Sequence, residues 1–174
     1  MNANGTGSGR AALATVRMML VGGGVAFGVA FVYAYAIRYI PWVYLNVIAT
    51  GIYAFLVGAA AGLVGRWMGV GTGLSSFFAG LFNIVAAVYF GWVAYIYVIT
   101  EQKLLTLDVG NIFRIMGVIA EKGSWSIFGW TPKGGALYTV WVLEAVIILL
   151  IGWGVLLAAQ AGELGELLED DDAA

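Results

Sequence analysis

The sequence predicts an all-α integral membrane protein with four transmembrane helices and a short interfacial amphipathic helix between the third and the fourth. Composition is the first observation behind this class: of 174 residues, 62% are hydrophobic and 10% are charged, against about 25% charged residues in an ordinary globular protein. Charge placement is the second, because four stretches without a charged residue each have the roughly 20 apolar residues that a helix needs to cross a bilayer core. These stretches cover residues 18–37, 39–65, 67–100 and 145–162.

Local signals divide these stretches into helices and turns. Pro41 suits the first turn of a helix, where its missing N–H is not needed. In the third stretch, the glycines of residues 69–73 indicate a turn, and Ser75 or Ser76 is a candidate N-cap for the helix that follows. We therefore predict a four-helix membrane domain over residues 16–162, with spans at about 16–37, 41–65, 75–99 and 135–159.

The first helix has a second interpretation. Arg10 and Arg17 precede an apolar stretch that ends in the small-x-small triplet of residues 34–36, a pattern also found in secretory signal peptides. The stretch is longer than the apolar part of such a peptide, which usually has about 7–15 residues. We therefore expect an uncleaved membrane anchor, and the intact mass of the protein distinguishes the two.

Residues 108–122 predict an amphipathic helix that is too short to span the membrane. Asp108 is a candidate N-cap, and Gly123 is a candidate terminator. The apolar face carries six residues: Val109, Ile112, Phe113, Met116, Ile119 and Ala120. A helix with such a face lies at the membrane interface or rests as a lid on the helix bundle.

Both ends of the chain differ from the membrane domain. Residues 1–15 form a polar N-terminal segment rich in Gly, Ser and Asn. Residues 163–174 form an acidic tail, and we expect it to be disordered because like charges repel and little apolar surface is available to bury. The tail either keeps the chain end soluble or docks to a basic partner.

Small residues recur at every fourth position of the first three helices. Gly24 and Gly28, and likewise Gly58 and Gly62, form GxxxG pairs. Such pairs let helix backbones approach closely, which matters in lipid because there is little hydrophobic gain between helices. We expect these glycines to pack helices within one chain, with self-association as the alternative.

The two sides of the membrane are chemically different. With four crossings, Arg38 and residues 101–133 lie on one side, which we call the loop side, while both termini and the turn at residues 69–73 lie on the other. Thirteen of the 16 Tyr and Trp residues fall on the loop side: Tyr33, Tyr35, Tyr39, Trp42, Tyr44, Tyr89, Trp92, Tyr95, Tyr97, Trp125, Trp130, Tyr138 and Trp141. An ordinary aromatic belt marks both interfaces, so this half of the bundle is expected to be wider, wetter or in contact with another molecule.

Positive charges give conflicting signals about orientation. Arg10 and Arg17 before the first helix favour a cytoplasmic N-terminus over Arg38 after it, whereas the loop side carries five Lys and Arg residues in all against three on the terminal side. Because the first helix usually dominates, we expect both termini in the cytoplasm.

Glu144 is the only acid inside a predicted span and therefore the leading candidate for a polar site. A carboxylate facing lipid is costly, so we expect Glu144 to be protonated, to bond Asn46, Asn83 or a tyrosine hydroxyl such as that of Tyr44, or to pair with Arg38. The functional interpretation is a proton or cation site, or recognition of a polar headgroup. The structural interpretation is a polar contact that holds helices together.

Several classes of site are excluded by residue type. The chain has no His and no Cys, so zinc, haem and iron–sulfur sites built from those ligands are absent, as are Ser-His-Asp and Cys-His catalysis. We predict no catalytic, cofactor or metal site. A net charge of -2 without a basic cluster also argues against nucleic acid as a partner, which leaves the lipid bilayer, another membrane protein or a second copy.

Three segments carry a resemblance to a family. Tyr-Ile-Pro-Trp-Val-Tyr-Leu-Asn at residues 39–46, the aromatic stretch 89–97, and Gly-Ser-Trp-Ser at 123–126 followed by residues 141–145 together resemble a group of small bacterial polytopic inner-membrane proteins with no assigned function. The resemblance covers most of the chain and implies a bacterial membrane protein. The turn between the second and third helices contains Arg66 as its only basic residue, whereas a more basic loop is expected there in that group.

Two functional hypotheses follow from these observations. The first is a non-enzymatic multi-pass membrane protein, an accessory or assembly subunit whose loop-side aromatic surface contacts lipid or a partner. The alternative is a small transporter or channel component in which Glu144 lines a polar path. A lipid enzyme is disfavoured because the sequence lacks a set of convergent titratable groups.

Overall fold

The computed structural model describes residues 5–39, 43–70, 73–126, 129 and 131–162, without the side chains of residues 5–8, 43 and 44. The described residues form five α-helices: α1 Gly5–Tyr39, α2 Val43–Trp67, α3 Leu74–Ile99, α4 Val109–Lys122 and α5 Gly135–Ala161. Of these described helices, α1, α2, α3 and α5 are long and apolar enough to cross a membrane. The predicted fold class is confirmed. Pro41, the side chain of Tyr44 and the acidic tail at 163–174 lie outside the described residues.

The first helix is longer than predicted. It begins at Gly5 rather than near residue 16 and contains 35 residues, which corresponds to about 52 Å at 1.5 Å per residue. A bilayer core is only about 30 Å thick. The polar first turns therefore extend beyond the hydrocarbon on the terminal side. The Gly and Ser residues there have weak helix propensity, so the sequence does not indicate this extension.

The start of α3 corrects the predicted cap. Gly73 is the N-cap, in an extended conformation and without a side-chain cap bond. Ser76 instead lies within α3, where its Oγ is 2.7 Å from Nε2 of Gln160 in α5 and accepts a hydrogen bond from it. A hydroxyl surrounded by apolar helices gains from such a bond across helices, so Ser76 joins α3 to α5.

The four long helices form a bundle with α2 and α3 at its centre. The first helix packs along α3 and α2, and α5 packs along α2 and α3. Over the described residues, α1 and α5 do not pack against each other. The short α4 rests on α3 and α5.

Close approach of backbones joins α2 to α5. A Cβ atom on Gly58 would overlap the backbone of Gly152, and one on Gly62 would lie 2.6 Å from the carbonyl oxygen of Leu156. By contrast, Gly24 and Gly28 lie on the exposed side of α1, where a Cβ would meet no atom within 4 Å. The expectation of packing within the chain therefore does not hold for the pair in α1.

A tyrosine hydroxyl joins the three helices of the first half of the chain. Oη of Tyr53 in α2 lies 2.9 Å from the carbonyl oxygen of Ala87 in α3 and 3.3 Å from that of Ala26 in α1. The Tyr53 ring stacks on Tyr33 with ring centres 4.7 Å apart. Since the Tyr53 side chain is fully buried, this polar contact fixes the mutual positions of α1, α2 and α3.

Helix α4 packs on the bundle with part of its apolar face and leaves another part exposed. Asp108 caps its start by accepting a hydrogen bond from the backbone N–H of Asn111 at 2.6 Å. Its other end is Gly123, whose φ of +79° suits glycine. Ile112 and Met116 are buried in the bundle, whereas Phe113 is 60% exposed. The predicted apolar face is thus divided between the bundle and its surroundings.

The glycine contacts predict opposite effects of one substitution at two positions. Gly58→Ala should lower the free energy of unfolding by about 1–3 kcal/mol because the added methyl group separates α2 from α5. The matched control Gly24→Ala should be neutral or stabilising, since alanine favours helix by about 0.5–1 kcal/mol. Thermal unfolding in detergent measures both. Equal destabilisation by the two variants would show that α1 also packs through Gly24.

The four membrane spans predict the sidedness of engineered cysteines, which can be placed singly because the chain has none. Gly9→Cys and Gly73→Cys should react with an impermeant maleimide from one side of the membrane. Lys103→Cys and Ser126→Cys should react from the other. Labelling of right-side-out and inverted vesicles measures this and also fixes the orientation. Reaction of Gly9→Cys and Gly73→Cys from opposite sides would contradict the arrangement.

Candidate functional site

A cavity of about 50 Å³ lies at the loop-side end of the bundle. Its volume holds about four water molecules. All four spans supply its walls, and α4 with the segment after it supplies the roof. The polar side chains that line it are Tyr33, Arg38, Asn46, Tyr95, Ser124 and Glu144.

The helix arrangement explains where the cavity forms. Over the described residues, α1 and α5 are not neighbours, and Gly91 of α3 faces the space between them. A Cβ on Gly91 would lie 3.9 Å from the Tyr53 ring and 4.0 Å from the Tyr33 ring. The absence of a side chain at this position leaves room that a larger residue would fill. Met116 of α4 and Trp125 close the cavity towards the loop side.

A basic and an acidic side chain line this cavity without forming an ion pair. Arg38 comes from the last turn of α1, and Glu144 lies nine residues into α5. Among the described residues, the ion pair within 4.0 Å is Lys103–Glu101, at 2.7 Å. Arg38 and Glu144 are therefore farther apart than a direct ion pair. Arg38 is exposed and Glu144 is half-buried, so the guanidinium lies at the rim and the carboxylate lies deeper.

Two uncharged polar atoms in the same cavity lack a hydrogen-bond partner. They are Oδ1 of Asn46 and Oγ of Ser124, both of which are buried. The hydroxyl of Tyr33, in contrast, bonds Oγ1 of Thr50 at 3.0 Å, and Thr50 donates to the backbone carbonyl of Asn46 at 2.8 Å. Buried polar atoms are nearly always hydrogen-bonded. The amide of Asn46 and the hydroxyl of Ser124 are thus two of the uncharged groups that can bond a ligand, together with the Tyr95 hydroxyl.

Three of the five predicted polar residues meet in the cavity: Glu144, Arg38 and Asn46. Asn83 lies elsewhere, because its Nδ2 donates to the carbonyl oxygen of Met18 at 3.2 Å and its side chain faces Gly22. It is fully buried and joins α3 to α1. The side chain of Tyr44 lies outside the described part of the chain.

Other lining residues were not predicted individually. The accumulation of Tyr and Trp on the loop side did indicate the aromatic part of the lining, which includes Tyr33, Tyr95, Trp125 and Trp141. Ser124 follows a glycine in a connecting segment, and no pattern in the sequence links it to α5. Its position depends on the path of the chain between α4 and α5.

The bundle is closely packed from the cavity towards the terminal side. Tyr33 and Tyr53 stack directly below the cavity, and Val57, Ile84 and Ala87 are at most 1% exposed. The polar space is therefore a pocket at one end of the described bundle.

No protein-family model, no curated protein and no solved structure matches the chain. The site is therefore interpreted from its own geometry. The resemblance to bacterial inner-membrane proteins stays a prediction.

The hydrogen bonds predict that Asn83 is structural and that Glu144 is not. Asn83→Ala should lower the free energy of unfolding by about 1–3 kcal/mol, because it removes a buried bond between α3 and α1. Glu144→Gln should leave the free energy within about 0.5 kcal/mol or raise it, since it breaks no bond of the described bundle and removes a charge from an apolar region. Thermal unfolding in a non-ionic detergent measures both variants. A loss at Glu144 as large as that at Asn83 would make the carboxylate a structural residue.

Proposed function

We propose that this chain is a non-enzymatic multi-pass membrane protein that binds a small zwitterionic group at its loop-side end. The observation that carries the proposal is that Arg38 and Glu144 line one cavity without pairing. A protein that only stabilised these charges would bring them together. A gap between them suits a ligand with a positive and a negative group.

The electrostatics of the cavity support this assignment. A charge removed from water is strongly unfavourable unless it is paired or hydrogen-bonded. At an effective dielectric constant of about 20, an opposite charge at 4 Å is worth about 4 kcal/mol before desolvation is counted. An ammonium group would compensate the half-buried carboxylate of Glu144, and an anionic group would pair with Arg38 at the rim. Asn46 and Ser124 add hydrogen bonds that orient the group.

The surroundings of the cavity support a role in binding rather than in chemistry. Apart from the two charged residues, the groups that line it are amide, hydroxyl, aromatic and aliphatic side chains and the thioether of Met116. Tyr33 is already bonded to Thr50. A set of groups that activates a nucleophile requires a base in contact with it. The protein therefore fits an accessory membrane subunit that recognises its ligand through charge and shape.

β-Alanine tests the proposal because it carries both charges and is small. Binding to the folded chain alone stabilises it, by about 2.7 kcal/mol at 100 times the dissociation constant. For a chain of this length, that raises the unfolding midpoint by about 5–10 °C. We expect this shift with the wild-type protein in non-ionic detergent. Propionate and propylammonium, which each carry one of the charges, should give much smaller shifts.

Two variants and one control make this experiment specific. Glu144→Gln and Arg38→Gln should each abolish the shift by β-alanine, because each removes one of the two charges. Asn83→Ala should keep it, at a lower starting midpoint, since Asn83 lies outside the cavity. No stabilisation of the wild-type protein by β-alanine, or an equal shift in Glu144→Gln, would contradict the proposal.

A transporter component is the second candidate, favoured by the position of Glu144 inside a span and in a cavity. It ranks second because the bundle is closely packed below Tyr33. Uptake of radiolabelled β-alanine into proteoliposomes separates the two functions. Binding without uptake above that of empty liposomes supports the binding protein, whereas uptake that Glu144→Gln removes supports transport.

A further inference from the structure

Two apolar clefts lie beside the cavity on the outer side of α3. The nearer cleft, of about 280 Å³, lies between α3, α4 and α5 and shares Val88, Trp92 and Ala145 with the cavity. The second cleft, of about 700 Å³, continues along α3 and shares Val85 and Tyr89 with the first. The polar cavity is therefore adjacent to the nearer apolar cleft, and the nearer cleft is adjacent to the second.

We propose that the cavity and the two clefts form a single site for a one-chain amphiphile whose cationic group lies between its apolar chain and its anionic end. The polar end would occupy the cavity, and the chain would lie in the clefts under α4. This inference rests on the proposed function, because it extends the zwitterionic ligand by a chain.

The lining of the clefts suits a hydrocarbon chain. Phe113 of α4 contacts Trp92 of α3 edge to face, with ring centres 5.6 Å apart, and so closes the nearer cleft towards the loop side. Val85 is 52% exposed on the outer surface of α3. The hydroxyl of Tyr89 donates to the backbone carbonyl of Leu107, so its polar end is already satisfied. The remaining surface offers dispersion contacts and no further charge.

The positions of the two charges set the order of charges in the ligand. Glu144 directly precedes Ala145, which lines both the cavity and the nearer cleft. Arg38 lies on α1, which does not pack against α5 over the described residues. Of the three spaces, Arg38 lines the cavity and neither of the two clefts. A molecule that enters from the cleft meets the carboxylate first and the guanidinium second. Opposite charges attract, so the cation must be next to the chain and the anion at the end.

Two synthetic probes with the same chain and opposite charge order test this inference. In N-dodecyl-β-alanine the ammonium is next to the chain, and in dodecyl phosphoethanolamine the phosphate is next to the chain. Titration in a non-ionic detergent, followed by native mass spectrometry, measures the occupancy of each. We expect N-dodecyl-β-alanine to bind at least tenfold more tightly than dodecyl phosphoethanolamine, and also more tightly than β-alanine.

A substitution in the cleft separates the role of the chain from that of the cavity. Val85→Trp fills the clefts from an exposed position, so the fold should tolerate it. Val85→Trp should weaken the binding of N-dodecyl-β-alanine at least tenfold and leave the stabilisation by β-alanine unchanged. Leu150→Trp is the matched control, because Leu150 is 70% exposed on α5 and borders neither cleft. Leu150→Trp should leave the binding of both ligands unchanged.

The outcomes distinguish a site for an amphiphile from a site that binds only a small zwitterion such as β-alanine. If β-alanine binds but the chain adds nothing, or if both tryptophan variants act alike, the amphiphile site is refuted and the proposed function stands. Equal binding of the two dodecyl probes refutes the order of charges. If neither β-alanine nor the dodecyl probes stabilise the protein, the proposed function and this inference fall together.

Discussion

Helices in hydrocarbon have to associate without a hydrophobic driving force, and the rest of this structure depends on that constraint. Each span satisfies its own backbone hydrogen bonds. Lipid tails are as apolar as the helix surfaces, so burial of apolar surface contributes little when spans meet. The bundle relies instead on close backbone contact, as between Gly58 and Gly152, and on single polar links such as the Tyr53 hydroxyl. These contacts join α2 to α5, to α3 and to α1, while α1 and α5 do not pack against each other over the described residues.

The separation of α1 from α5 creates the site. At the terminal side, Asn83 and Ser76 bond across helices and the interior is filled. At the loop side, Gly91 carries no side chain and α4 provides the roof, so a space remains between the outer helices. The charges of Arg38 and Glu144 occupy this space, where an apolar filling would have made a more stable bundle.

The sequence predicted the spans well because a membrane restricts them by length and charge. It also offers Arg38 and Asn46 among the alternative partners of Glu144, and both line the same cavity as Glu144 because all three lie at a similar depth on the loop side. Depth alone does not show which way a side chain points around its helix. For that reason the sequence predicts Asn83 as a candidate site residue although it bonds α1, and it offers Ser76 beside Ser75 as a candidate cap although Ser76 bonds α5. The position of Ser124 depends on a connection without periodic pattern, which sequence reasoning does not resolve.

The clefts on α3 open sideways, towards the surface that four apolar helices present to lipid. A molecule that reaches the cavity by this route is dissolved in one leaflet and not in the aqueous phase. The concentration that determines its binding is then its mole fraction among the lipids of that leaflet, and its rate of association depends on diffusion in two dimensions. Occupancy would follow the composition of that leaflet even where the compound is too insoluble to be detected in water.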